Sequence, residues 1–172
     1  MNAISALGYK DPAGADRAIV ELARLLRQTL DRPAEVSIAD EVAMVADYVE
    51  LHRLLLGERL DFELKVGPEA WQARLPAMLI QPLIENAIIH GLSPLPEGGT
   101  LSLMVGAEGS ALVIEVINDA PADARSSPGG LGLANVRQRL AATYGDRAAL
   151  EFERGRASAR AMVKMPFETA KR

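Results

Sequence analysis

The sequence predicts an α+β chain: helices at the N-terminal end, then a two-layer α/β sandwich with helices on one face of a mainly antiparallel sheet. Three observations predict it. Apolar residues recur at helical spacing from about residue 13 to residue 56, and the period switches to two at Leu60. Beyond that point, hairpin-like strand pairs alternate with helices that each end at a glycine.

The elements follow in order. Over 13–30, Ile19, Leu22, Ala23, Leu26 and Leu30 share one helical face, and Asp31-Arg32-Pro33 ends the helix. Ser37-Ile38-Ala39-Asp40 reads as a capping box opening a second helix, so the two form an α-helical hairpin. The second helix carries two apolar stripes, one through Val42, Val45, Val49 and Leu56, the other through Met44, Tyr48, Leu51 and Leu55. Two stripes need two partners: the first helix for one, and a second subunit or the rest of the chain for the other. Gly57 ends this helix.

Leu60, Phe62, Leu64 and Val66 then alternate as a strand, and Gly67-Pro68 is a turn. A helix is predicted over 78–90, closed by Gly91. Strands follow at 100–105 and 111–117, joined at Glu108-Gly109-Ser110. The stretch 120–130, rich in Ala, Pro, Ser and Gly, has no periodicity and is expected to be a mobile loop. A helix over 131–144 buries Leu133, Val136, Leu140 and Tyr144 and stops at Gly145; strands at 149–153 and 158–165 complete the chain. The expected division is a helical region, 1–58, and a strand-rich domain, 59–172.

Composition narrows the function. The 19 basic and 23 acidic residues leave a net charge of -4, which disfavours a nucleic-acid partner. There is no cysteine, so disulfides, thiolate metal sites and cysteine nucleophiles are excluded. No apolar run reaches the length of a membrane span, and no membrane contact by these residues is expected. A reducing, cytoplasmic setting fits.

Three clusters carry possible chemistry. In Gln81-Pro82-Leu83-Ile84-Glu85-Asn86-Ala87-Ile88-Ile89-His90-Gly91, Asn86 and His90 are four apart and share a helix face. An amide oxygen is a hard ligand suited to Mg²⁺; taken alone, the pair reads more simply as satisfying nearby backbone. Val116-Ile117-Asn118-Asp119-Ala120-Pro121 ends a strand where ligands are often held, and also where ordinary turns form. Pro128-Gly129-Gly130-Leu131-Gly132-Leu133 precedes a helix, and such glycines let backbone N–H groups approach a phosphate. Each alone is weak; their order and spacing together are specific.

On those residues the chain resembles the GHKL, or Bergerat-fold, ATPases, and among them the sensor histidine kinases of the LytS/YehU type. QPLIENAIIHG resembles the family's N-box, VINDAP stands at its first glycine box, and GGLGLANVRQRL resembles the second. YGDRAALEFERG and ARAMVKMP match its closing strands, and residues 26–30 and 36–64 look like its linker helices. The resemblance implies ATP and Mg²⁺ as cofactors, with Asn86 the metal ligand and His90 near the nucleotide. It places Asn118 at the adenine and Gly130, Leu131, Gly132 and Leu133 at the phosphates and lid, with 120–129 as the lid itself. It further implies phosphoryl transfer to a histidine, then to a response regulator, by a homodimer, and leaves room for a membrane anchor in the full-length form.

The sequence departs from the family's pattern in several places. An Asp and a Gly are common where Asn118 and Ala120 stand, a Lys where Ile89 stands, and a Gly where Pro128 stands. Asn can accept a hydrogen bond but brings no charge, so weaker adenine binding is expected. Arg137 or Arg139 could replace the missing lysine. The ATP-hydrolysing relatives carry a water-activating Glu four residues before the metal-binding Asn; here that position is Pro82, and Glu85 points off the Asn86 face. No hydrolytic base is expected, and phosphoryl transfer by positioning does not need one. The family's acceptor-histidine box precedes the segment that matches Asn2-Ala3-Ile4-Ser5-Ala6, so these residues alone are not expected to autophosphorylate. His52 reads as a surface or helix-contact residue. Two other readings stand beside the histidine kinase: a degenerate GHKL module that binds a protein, and a GHKL kinase acting on Ser or Thr.

Overall fold

The computed structural model describes residues 33–122 and 131–169. The first predicted helix, Gly130 and most of the expected lid lie outside the described residues. The elements are β1 (Glu35–Ser37), α1 (Ile38–Leu56), β2 (Leu60–Val66), β3 (Ala73–Pro76), α2 (Gln81–Asn86), β4 (Gly99–Glu108), β5 (Ala111–Asp119), α3 (Leu131–Tyr144), β6 (Ala149–Arg154), β7 (Ser158–Pro166) and β8 (Glu168–Thr169). The main sheet runs β2-β4-β5-β7-β6, and a small sheet runs β1-β3-β8. The main sheet is antiparallel except at its β2 edge, where β2 pairs parallel with β4, so the chain crosses over between them through α2. The α+β sandwich is as expected; the small sheet, made of two- to four-residue strands, is an addition.

Helix α1 opens as its sequence requires. The Ser37 hydroxyl accepts the Asp40 N–H, and the Asp40 carboxylate accepts the Ser37 N–H, the reciprocal capping box. Of the two apolar stripes of α1, Val42, Val45 and Val49 with Met44, Tyr48 and Leu51 are buried and join one core cluster that also contains Leu79, Ile80, Ile84, Leu101 and Leu103. Each such side chain contributes about 1.5–3 kcal/mol when taken fully from water. Helix α1 is therefore part of the same hydrophobic core as the sheet.

Strand β5 shows why the sandwich has one buried face. Leu112, Ile114, Val116 and Asn118 point inward, and the residues between them are half exposed. Edge strand β2 is less covered than its alternation suggests: Leu60 is buried but Leu64 is exposed. Between β2 and β4, Gly98 takes φ 77°, and a Cβ there would stand 1.9 Å from the Arg59 carbonyl oxygen. Only glycine lets β4 begin beside β2.

His52, on α1, packs its ring 4.4 Å from that of Tyr48, with Nδ1 3.1 Å from the Tyr48 carbonyl oxygen. It is a helix-contact residue, half-buried. Burial pushes its pKa down from 6.5, partly offset by the Tyr48 carbonyl and the Glu85 charge. The unfolded chain thus binds a proton that the folded chain resists. Stability from neutral His52 is present above pH about 6.5 and is lost as pH falls through that value towards the lower folded pKa. Thermal melts followed by circular dichroism are expected to show a midpoint that drops as the solution is taken from mildly alkaline to mildly acidic. His52→Gln is expected to flatten that slope.

Candidate functional site

The helix carrying Asn86 and His90 starts and stops elsewhere than its periodicity suggests. It begins at Gln81 rather than at Met78, because residues 77–80 form a bend in which Met78 has φ 61°. It runs past Gly91 to Leu92, its last part (Ala87–Leu92) being π-helical. Gly91 is a close-approach residue within the turn, not a cap. A Cβ on it would lie 2.0 Å from Asn118 Nδ2 and 2.9 Å from the Asp119 carbonyl oxygen. The helix can therefore lie directly on the end of β5.

That contact brings the first two motifs together. Asn118 ends the inward row of β5 and is 4% exposed, its Nδ2 donating to the Asp119 carbonyl oxygen at 2.7 Å. Asp119 turns the other way and accepts the Thr100 N–H at 2.8 Å, tying β5 to the start of β4. Ala120, where a glycine is common in the GHKL pattern, is buried, and its N–H donates to the Ala157 carbonyl oxygen. Asn86 is half-buried and His90 exposed, and no hydrogen bond joins either side chain to another described residue.

The third motif meets the same helix at its other end. Gly132, in the first turn of α3, faces Pro82; a Cβ on it would sit 3.6 Å from Pro82 Cβ, an ordinary contact. Leu131 is 86% exposed, whereas Leu133 is fully buried in the core, so any ligand contact by Leu133 is through its backbone. A Gly132→Ala chain is thus expected to unfold at close to the wild-type urea concentration. A loss of nucleotide affinity in it would then report ligand approach, not misfolding.

Glu85 accepts from Gln81 Nε2 at 2.8 Å and faces α1, where its charge, after burial, helps to raise the pKa of Tyr48. Arg139 does not replace the missing lysine in this arrangement; its guanidinium donates to the Ala77 carbonyl oxygen. Ile89, in the lysine's place, is half exposed. Sequence reasoning missed Glu41. It is 1% exposed, and its carboxylate accepts the N–H groups of Met78, Leu79 and Ile80 at 2.8, 3.1 and 2.9 Å. The signal was present: Glu41 lies on the helical row Ile38, Glu41, Val45, Tyr48, and a charge among core positions demands partners.

The histidine kinase family model matches residues 1–60. The sensor histidine kinase BtsS of Escherichia coli (strain K12) is 32% identical over 148 residues, covering 85% of this chain and 26% of that protein. This chain belongs to the histidine kinase family. Solved histidine kinases share the fold of this chain. AdeS of Acinetobacter baumannii superposes with a TM-score of 0.60 at 17% identity, covering 91% of this chain and 79% of that one. Full-length ShkA, solved in complex with AMPPNP, gives 0.58 at 20% identity over 93% of this chain and 36% of that one. The architecture is that of the GHKL histidine kinase domain. The chain spans about a quarter of the length of BtsS, and no helix among its described residues is long and apolar enough to cross a membrane.

Proposed function

We propose that this chain is the ATP-binding catalytic region of a two-component sensor histidine kinase. In the whole protein the γ-phosphoryl group passes from ATP to a histidine upstream of these residues, and from there to an aspartate of a response regulator. The observation that carries the reading is the convergence of three motifs on one helix. Asn86 and His90 stand on it, Gly91 seats it on Asn118, and Gly132 faces its first turn.

The residues fit Mg²⁺-ATP. Among the described residues no group of three His, Cys, Asp or Glu side chains could hold a metal. One half-buried amide, Asn86, suits an ion that arrives with phosphate oxygens and its own waters. When bound there, Mg²⁺ would supply positive charge beside the phosphoryl oxygens. Asn86 would hold the ion, the first turn of α3 would offer N–H groups to phosphate together with Gly130, and Asn118 would meet the adenine. Leu131 and Leu133 flank those glycines. Residues 1–58 would be the linker and dimerisation region and 59–172 the catalytic domain, working as a homodimer on the cytoplasmic side, where ATP is found.

The test extends the chain upstream through its own histidine box and supplies ATP labelled at the γ-phosphate. Acid-labile, alkali-stable label on the protein, lost in Asn86→Ala, is the expected result. Acid-stable label on a partner instead would favour a Ser/Thr kinase.

A further inference from the structure

The bend at residues 77–80 is where three parts of the chain meet, and its polar backbone is held from each. It has no regular hydrogen bonding, yet Leu79 and Ile80 are fully buried and Ala77 nearly so. Buried irregular backbone must find partners for its N–H and C=O groups. The Ala77 N–H donates to the Ala34 carbonyl oxygen at 3.0 Å, just ahead of β1. The next three N–H groups go to Glu41 of α1, and the Ala77 carbonyl oxygen takes the guanidinium of Arg139 from α3. The Ile80 carbonyl oxygen accepts from Leu83 and Ile84, so α2 starts as the bend ends.

Met78 is the only non-glycine residue with positive φ among the described residues. Such a conformation persists where its surroundings over-determine it. Here a carboxylate pulls on one side of the bend and a guanidinium on the other. The bend in turn sets the origin of the helix that carries Asn86.

We propose that Glu41 and Arg139 are positioning residues for the nucleotide site. They clamp the bend before α2 so that Asn86 stands where it can hold Mg²⁺, and they join the linker helix and the α3 helix to that one point. The inference rests on the nucleotide-binding reading above and adds a route by which α1 governs the site. A shift of α1 moves the Glu41 carboxylate, and with it the first residues ahead of α2. The hydrophobic contacts of α1 can slide; three charge-assisted hydrogen bonds accepted by one carboxylate have a fixed geometry.

The experiment measures the affinity of the chain for a non-hydrolysable ATP analogue with Mg²⁺ and with EDTA, at a temperature where circular dichroism shows full folding. The readout is the gain in affinity that Mg²⁺ confers. Glu41→Gln keeps the shape but replaces one acceptor oxygen by an NH₂ group facing donors, and the gain is expected to fall by about tenfold. Arg139→Ala, at an exposed helix position, is expected to reduce the gain as well, and Arg139→Lys, which keeps a donor for the Ala77 carbonyl, to restore most of it. If Glu41→Gln does not fold, the Arg139 pair decides. Folded variants that keep the wild-type gain would overturn the proposal while leaving nucleotide binding intact. A wild-type chain that binds no nucleotide would instead defeat the underlying reading, and this inference with it.

Discussion

Gly91→Ala is expected to cost the chain about 2–3 kcal/mol and its nucleotide binding together. The added methyl would sit 2.0 Å from Asn118 Nδ2. That amide cannot swing clear cheaply, because it is buried and donates to the Asp119 carbonyl oxygen. The carbonyl itself lies 2.9 Å from the new carbon, so the helix must lift away from β5. Lifting separates Asn86 from Asn118, the two residues proposed to hold opposite ends of the nucleotide. Urea unfolding would show the lost stability, and titration with an ATP analogue the lost binding. A chain of unchanged stability would mean that the helix and β5 are less tightly seated than their geometry requires.

Asn86→Ala is expected to behave in the opposite way, with stability nearly unchanged and function lost. Asn86 is half-buried and has no hydrogen-bond partner among the described residues, so truncation leaves no orphaned group behind. Its proposed work appears only with metal and nucleotide. Affinity measured with Mg²⁺ should drop by about a hundredfold, on the order of 2.7 kcal/mol, and affinity measured in EDTA should hardly move. Equal losses in both conditions would show that Asn86 acts on the nucleotide rather than on the ion.

Much of the fold was legible because its signals are local. The capping box at Ser37 and Asp40, the alternation through β5 and the helical row Leu133, Val136, Leu140 and Tyr144 each lie within one element. What escaped depends on distant pairing. Strands β1, β3 and β8 are too short to show a period, and the parallel pairing of β2 with β4 is a property of the crossover. The helix boundary at Met78 was misread because Met78, Leu79 and Ile80 fit a helical row. Their N–H groups instead go to Glu41, nearly forty residues earlier, which propensity cannot reveal.

The candidate site follows the same division. Asn86, His90, Asn118 and Gly132 were named from motif order, and the structure sets Gly91 of the first motif against Asn118 of the second. The role of Gly91 was not legible, since a glycine after a helical run ordinarily reads as a terminator. Its actual neighbour belongs to another layer. Arg137 or Arg139 was named as a substitute for the missing lysine on its charge alone; of the two, Arg139 lies on the Ala77 carbonyl oxygen.

The most direct measurement is a titration of the ¹⁵N-labelled chain with an ATP analogue and Mg²⁺, followed by its amide resonances. Saturable shifts are predicted at Asn86, Gly91 and Asn118 and in the first turn of α3, at one site per chain. Unmoved resonances at these positions at several millimolar nucleotide would contradict the account.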